Sequence, residues 1–377
     1  MNILLNFFPV QSGGGQQVAS SFLKIIAKND FGHKWFVFTG EGSELDVLAK
    51  KVLPEENILS VRYSYLARYT NNKLLTNFSS RHHIDMVYNY AIVLPLPKIP
   101  QVVRTVYSNL YFPEIKFWNS YPKTEQVKKK LIDYFRLKGT LKADGLIFEN
   151  ESMLERAVSL FHYSRDRVKY IEPSVSYFDE SQTNSEFDKL RQISVFKILY
   201  LSSWHLNKNI TVLPLVAKML KESGVSVKFI LSLEANNPNL EVHLMAVITA
   251  LEVSEYFEFI GKVKAIHVHQ VVKACDAMIL LSKLECFSSN VIEAFYFKKP
   301  LIIADEPWSR AACGNAAIYV QRDNPEDIKN KITTLIQHTG QSEEMIALGS
   351  IRLKEFNTPE EKVLKQVEFL EYIYGKF

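Results

Sequence analysis

The stretch DAMILLSKLECFSSNVIEAFYFKKPLIIAD, residues 276–305, reads as strand, loop, helix and strand. The runs at 276–281 and 300–304 are short and continuously apolar, the pattern of strands covered on both faces. A helical crossover between two such runs joins parallel neighbours. The alternation extends upstream through FKILYL (196–201), VKFILS (227–232) and YFEFIG (256–261). It also occurs in the first half, in NILLNFF (2–8), KWFVF (34–38), DMVYNY (85–90), QVVRTVY (101–107) and DGLIFE (144–149), with helical segments such as 15–28 and 151–161 between strands. The expected class is α/β, with two Rossmann-like, doubly wound domains.

A chain of 377 residues exceeds the roughly 250–300 at which one hydrophobic core stops growing. The polar, turn-rich segment 172–192 divides it. We expect an N-terminal domain over 1–175, a linker over 176–192 and a C-terminal domain over 193–358. A last helix over 359–377 repeats Val363, Val367, Leu370 and Ile373 at helical spacing and is expected to pack back on the N-terminal domain. With 47% hydrophobic and 23% charged residues, the composition excludes disorder. A net charge of +4 gives no general nucleic-acid face. Cys275, Cys286 and Cys313 form neither a CxxC nor a zinc pattern, which points to a reducing, cytoplasmic setting. MNILLNFFPV lacks a secretion signal's basic start and cleavage site, and no run reaches the ~18 apolar residues of a membrane span.

The 276–305 stretch places Glu285 in the loop after a strand and Glu293 in what is expected to be the first helical turn. Ligands of doubly wound sheets bind at such strand ends. The helix start offers unpaired N–H groups and the positive end of a dipole, and Ser288, Ser289 and Asn290 are small or polar enough to let a diphosphate approach. A carboxylate on either side accepts hydrogen bonds from sugar hydroxyls, whereas one facing the diphosphate is repelled. Two plainer readings stand beside this one. Asn290 and Glu293 have the spacing of a capping box, and Glu285 reads equally as a solvated loop charge.

The glutamate spacing resembles the E-x7-E signature of the retaining glycosyltransferases of family 4, which have the GT-B fold: two Rossmann-like domains with a cleft between them. ECFSSNVIEAFYFKKPLIIAD keeps both glutamates, Phe287, Ala294 and Pro300 of that pattern and departs at Cys286, Ser288, Ser289, Asn290 and Lys299. YLSSWHLNKN (200–209) is similar to the family segment holding a phosphate-binding lysine, here Lys208, followed by Asn209 in place of the commoner glycine. The arginine of that segment is Ser203 here. Gly13, Gly14 and Gly15 resemble the family's glycine-rich first loop, a stretch that reads equally as a purely conformational turn. The N-domain histidine falls where Ser108 and Asn109 stand; Asn109 can hydrogen-bond a sugar but cannot transfer a proton. The resemblance implies that Lys208 and Glu285 are catalytic. It implies donor contacts from Glu293, Ser203, Asn209, Phe287, residues 288–291 and the three glycines, and acceptor-side contacts from Ser108 and Asn109.

No D-x-D pair is present, so neither metal nor other cofactor is expected beyond the nucleoside diphosphate sugar itself. His82 with His83 and His267 with His269 lack the company of a metal site, and Cys286 has no neighbouring base. Residues 112–142 interleave aromatics with lysines, so they read as a solvated helix face or as a contact with the inner side of the cytoplasmic membrane. The resemblance implies transfer of a sugar to a lipid-linked or oligosaccharide acceptor in bacterial surface polysaccharide assembly. The rival readings are a nucleotide-sugar epimerase of similar shape and a sugar-nucleotide-binding subunit without turnover.

Overall fold

The computed structural model describes the chain apart from residues 12–13, 65–71, 117, 120, 176–179, 235–239 and 241–243. It divides into an N-terminal unit of Met1–Glu114, Tyr121–Ser174 and Asn357–Phe377, and a C-terminal unit of Ile115–Ser120 and Val175–Phe356. The N-terminal unit is built on β1 (Asn2–Asn6), β2 (Lys34–Gly40), β3 (Ile58–Val61), β4 (Met86–Asn89), β5 (Gln101–Arg104), β6 (Gly145–Phe148) and β7 (Val168–Tyr170). These pair in parallel in the order β3-β2-β1-β4-β5-β6-β7. Successive β1 side chains point to opposite faces. Ile3 and Leu5 join Phe22, Leu23 and Ile26 of the helix Gly14–Lys28, while Leu4 joins Leu75 and Phe78 of the helix Asn72–Arg81. Both faces of the sheet are therefore covered, as the continuous apolar runs require.

The C-terminal unit repeats the plan with β8 (Phe196–Tyr200), β9 (Val227–Leu231), β10 (Phe257–Phe259), β11 (Ala277–Leu280), β12 (Leu301–Ala304) and β13 (Ile318–Val320). Their order is β10-β9-β8-β11-β12-β13, again parallel. Ile198, Tyr200 and Phe229 of the sheet pack with Val216 and Leu220 of the helix Leu213–Glu222 and with Ile328 and Ile332 of the helix Pro325–Gln337. The winding reverses between β8 and β11, so the loops leaving these strands diverge and open a crevice at their carboxyl ends. Of the stretch expected as a linker, residues 185–192 form a 3-10 helix that buries Phe187 and Leu190. Among the described residues, no helix is long and apolar enough to cross a membrane.

The last helix, Pro359–Tyr374, begins with a reciprocal cap between Thr358 and Glu361 and has proline in its first turn. Its Val363, Val367, Leu370 and Ile373 lie in the same buried cluster as Ile3 and Leu5. Approach is close enough that a Cβ on Gly145 of β6 would stand 2.9 Å from Ile373 Cγ1. The helix also brings a charge into the interior. Arg104, at the end of β5, forks onto Glu149, which follows β6, at 2.9 and 2.8 Å, and Lys362 Nζ reaches the same carboxylate at 2.6 Å. All three side chains are at most 8% exposed. Burial by itself raises the Glu149 pKa, but Arg104 and then Lys362 outweigh it and hold the carboxyl far below the usual carboxylate range. Burial pulls the Lys362 ammonium down. Glu149→Gln leaves two buried cations without their anion and is expected to cost about 3–5 kcal/mol in urea denaturation. Lys362→Met keeps the arginine–glutamate pair and is expected to cost far less.

Candidate functional site

The site grows from the two loops at the β8/β11 switch point. After β8 the chain passes Ser202, whose N–H donates to Ser232 Oγ at 2.8 Å, and enters a 3-10 turn over Leu206–Lys208. His205 caps the turn by accepting from the Asn207 N–H through Nδ1. The turn ends at Asn209, with φ +56° and ψ +26°. That is left-handed backbone, where asparagine is the best tolerated residue after glycine. The commoner glycine of the resembled segment and the asparagine found here thus meet the same requirement. The Asn209 side chain turns away to donate to Arg322 O at 2.9 Å and Asp323 Oδ1 at 3.1 Å, so it anchors the turn.

Asn207 was missed from the sequence, and it joins the two loops. Lys283 N donates to its carbonyl at 2.8 Å, Leu284 N donates to its Oδ1 at 3.1 Å, and its Nδ2 donates to Leu284 O at 2.6 Å. The buried amide therefore acts as one more backbone unit, pairing the β8 loop with the β11 loop. Tyr200 steadies the β8 loop itself by donating its hydroxyl to Lys208 O. Held by this clamp, Lys208 Nζ lies 2.5 Å from Glu285 Oε1, with side-chain exposures of 22% and 16%. The two residues of the matched segments are an ion pair at the switch point, open enough on one side for a ligand to reach. Ser203 lies in the same loop, exposed, its carbonyl accepting from Ser202 Oγ.

The helix that follows spans Ser289–Tyr296 with extended Ser288 as its N-cap, and no side chain caps it. This corrects two expectations. Asn290 is not the N-cap, and Glu293 lies beyond the first turn, which contains no acidic residue. Their capping box is accordingly not formed, and Asn290 Nδ2 instead donates to Glu293 Oε2 at 2.8 Å. Burial raises the Glu293 pKa, partly offset by hydrogen bonds from Asn290 and Ser289. Phe287 stacks edge-on against Phe356 at 5.7 Å, Val291 is fully buried, Ser288 is nearly so, and Ser289 is exposed. A depression beyond β12 and β13 is lined by Asp305, Glu306, Arg322 and Asp323. Its guanidinium is already paired with Glu306, and three carboxylates make it hostile to a diphosphate.

The remaining expected residues belong to the N-terminal unit. Gly13 lies outside the described residues. Gly14 and Gly15 open the helix Gly14–Lys28; a Cβ on Gly14 would meet nothing within 4 Å, and one on Gly15 only Val10 at 3.6 Å. Neither is required by crowding or a positive φ. Ser108 and Asn109 form a 3-10 turn with Leu110, and Asn109 Nδ2 donates to Asp133 Oδ2 at 2.8 Å.

Residues 182–350 match the family described as glycosyl transferases group 1. No curated protein matches the chain. Among solved structures, the chain resembles a glycosyltransferase from Rickettsia africae ESF-5, with TM-score 0.71 and 18% identity over 99% of this chain and 98% of that one. It also resembles Anabaena Alr3699/HepE in complex with UDP and glucose, with TM-score 0.70 and 15% identity over 98% and 99%. WaaG, described as a glycosyltransferase involved in lipopolysaccharide biosynthesis, gives TM-score 0.70 and 13% identity over 96% and 98%.

The raised Glu293 pKa sets a test of the site. The folded state holds this proton more tightly than the unfolded chain does, so stability falls as pH rises from the ordinary carboxylate range through the raised value. Glu293→Gln removes that penalty. Its melting temperature is expected to exceed the wild type's at pH 7.5, and the advantage to vanish near pH 4 in the same thermal scans. Residues 182–350 thus carry the family match, and the whole chain shares with these structures the fold of two parallel α/β sheets.

Proposed function

We propose that the chain is a retaining, metal-independent glycosyltransferase. It moves a sugar from a nucleoside diphosphate donor to a hydroxyl of a lipid-linked or oligosaccharide acceptor in bacterial surface polysaccharide assembly. The observation that carries this reading is the Lys208–Glu285 pair, held by Asn207 at the switch point and followed by an uncapped helix start. Without ligand the two charges satisfy each other. An arriving diphosphate offers Lys208 a doubly charged partner and meets the first N–H groups of the helix Ser289–Tyr296. Glu285, repelled by the same phosphates, is released to accept hydrogen bonds from the donor sugar. Glu293 takes the ribose hydroxyls, with Asn290 orienting its carboxylate.

Transfer then proceeds on one face of the sugar. The bond from the anomeric carbon to the phosphate oxygen breaks, the acceptor oxygen bonds to the same face, and the acceptor proton passes to the departing phosphate. No side-chain base is required, so asparagine at 109 is no obstacle. Lys208 and the helix N–H groups stabilise the charge that develops on the leaving diphosphate. The donor class is supported by the UDP and glucose bound in the Anabaena structure, and the acceptor class by the polysaccharide role of WaaG.

Titration calorimetry with UDP and GDP tests the site. Lys208→Met is expected to weaken binding about tenfold to hundredfold, the weight of one charged hydrogen bond. Glu285→Gln is expected to leave nucleotide affinity intact while abolishing transfer. Unchanged affinity in Lys208→Met would contradict the proposed phosphate contact, and donor conversion without acceptor would favour an epimerase. Transfer that persists in EDTA is the expected result for a metal-independent reaction.

A further inference from the structure

The ion pair at the switch point leaves a charge deficit. Lys208 and Glu285 together are neutral, so their pull on a doubly charged diphosphate largely cancels while they stay closed on each other. The arginine that the resembled segment would add is Ser203, exposed and uncharged. Other basic residues lie on the loops at the carboxyl ends of the C-terminal sheet, and most are spent or distant. Arg310 forks onto Asp305 at 2.7 and 2.8 Å, and Arg322 is paired with Glu306. His205 accepts through Nδ1 from the Asn207 N–H, which keeps its ring neutral. Lys262 and Lys264 follow β10, which β9 separates from β8.

Lys283 remains, and the clamp fixes it. Its N–H donates to Asn207 O at 2.8 Å, so its backbone is held against the residue that precedes Lys208. Leu284 is 2% exposed, while Lys283 and Glu285 on either side of it are half-buried. The loop thus turns 284 inward and leaves 283 and 285 on its open side. Among the described residues, no carboxylate or carbonyl takes the Lys283 ammonium. A lysine so placed has its stem covered and its charge unspent.

We propose that Lys283 is the second diphosphate-binding cation of this site, supplied by the β11 loop in place of the arginine that the β8 loop lacks. The inference rests on the proposed nucleotide site and adds a residue to it. The Lys283 ammonium gives the neutral pair an uncompensated positive charge, so a diphosphate is drawn in before Lys208 and Glu285 part. Once Glu285 has moved to the sugar, two ammonium groups from two loops hold the phosphates. Asn207 bonds both loops and so fixes the spacing of the two lysines, which restores direction that a single point charge does not give.

Titration calorimetry of the full chain at low and high salt compares UDP and GDP with uridine and guanosine. Lys283→Met is expected to weaken diphosphate binding about tenfold and to flatten its salt dependence, with nucleoside affinity and melting temperature unchanged. Lys283→Arg is expected to keep most of the affinity. Lys262→Met with Lys264→Met is expected to bind diphosphate as the wild type does. Unchanged diphosphate affinity in Lys283→Met, an equal loss of nucleoside and diphosphate, or a loss confined to the double variant would each overturn the proposal. A loss in Lys208→Met with none in Lys283→Met sinks this inference alone, whereas a wild type that binds neither diphosphate sinks the proposed function with it.

Discussion

One asparagine amide sets the geometry of the candidate site in the C-terminal unit. The loops after β8 and β11 emerge where the sheet reverses its winding, so nothing in the strand pairing beyond the sheet edge keeps them together. Asn207 supplies the missing link with three hydrogen bonds to the 283–284 backbone, buried and shielded from water. Lys208 is its chain neighbour and Glu285 follows the clamped segment directly. Bringing the two charges together therefore needs no long-range adjustment of flexible side chains. It follows from a backbone register fixed one residue away.

The strand interiors were legible because burial on both faces forces continuous apolar runs, as in ILL of β1 and IIA of β12. The unit edges were not. The edge strands β3, β7 and β13 do not stand out in the sequence, because they mix buried with half-exposed or exposed residues or are half-exposed throughout. Their sequences carry no uninterrupted run to read. The expected strand 101–107 stops at Arg104, whose side chain joins the buried ion triad.

The site shows the same division. Family spacing singles out Lys208 and Glu285, which the fold pairs, but not Asn207, whose partners are 77 residues away and leave no local trace. The helix start was misplaced by two residues because Asn290 and Glu293 satisfy a local capping rule. In the folded chain the same two side chains bond each other within the helix. For the basic helix Lys123–Thr140, periodicity gives the angular separation of the two faces but not which one turns inward. That direction is set by Asn109 and Tyr107, which receive Asp133 and Arg136.

The closing helix of the N-terminal unit has a temporal consequence. The C-terminal unit occupies a nearly unbroken run, Val175–Phe356, whereas its neighbour awaits Asn357–Phe377 to seat Ile373 over Gly145 and Lys362 beside Glu149. During synthesis the part begun first is thus completed last. Until Asn357–Phe377 has emerged from the ribosome, the N-terminal unit lacks Val363, Leu370 and Ile373 of its core and the lysine beside its buried arginine–glutamate pair, and this interval is when a chaperone has most to shield.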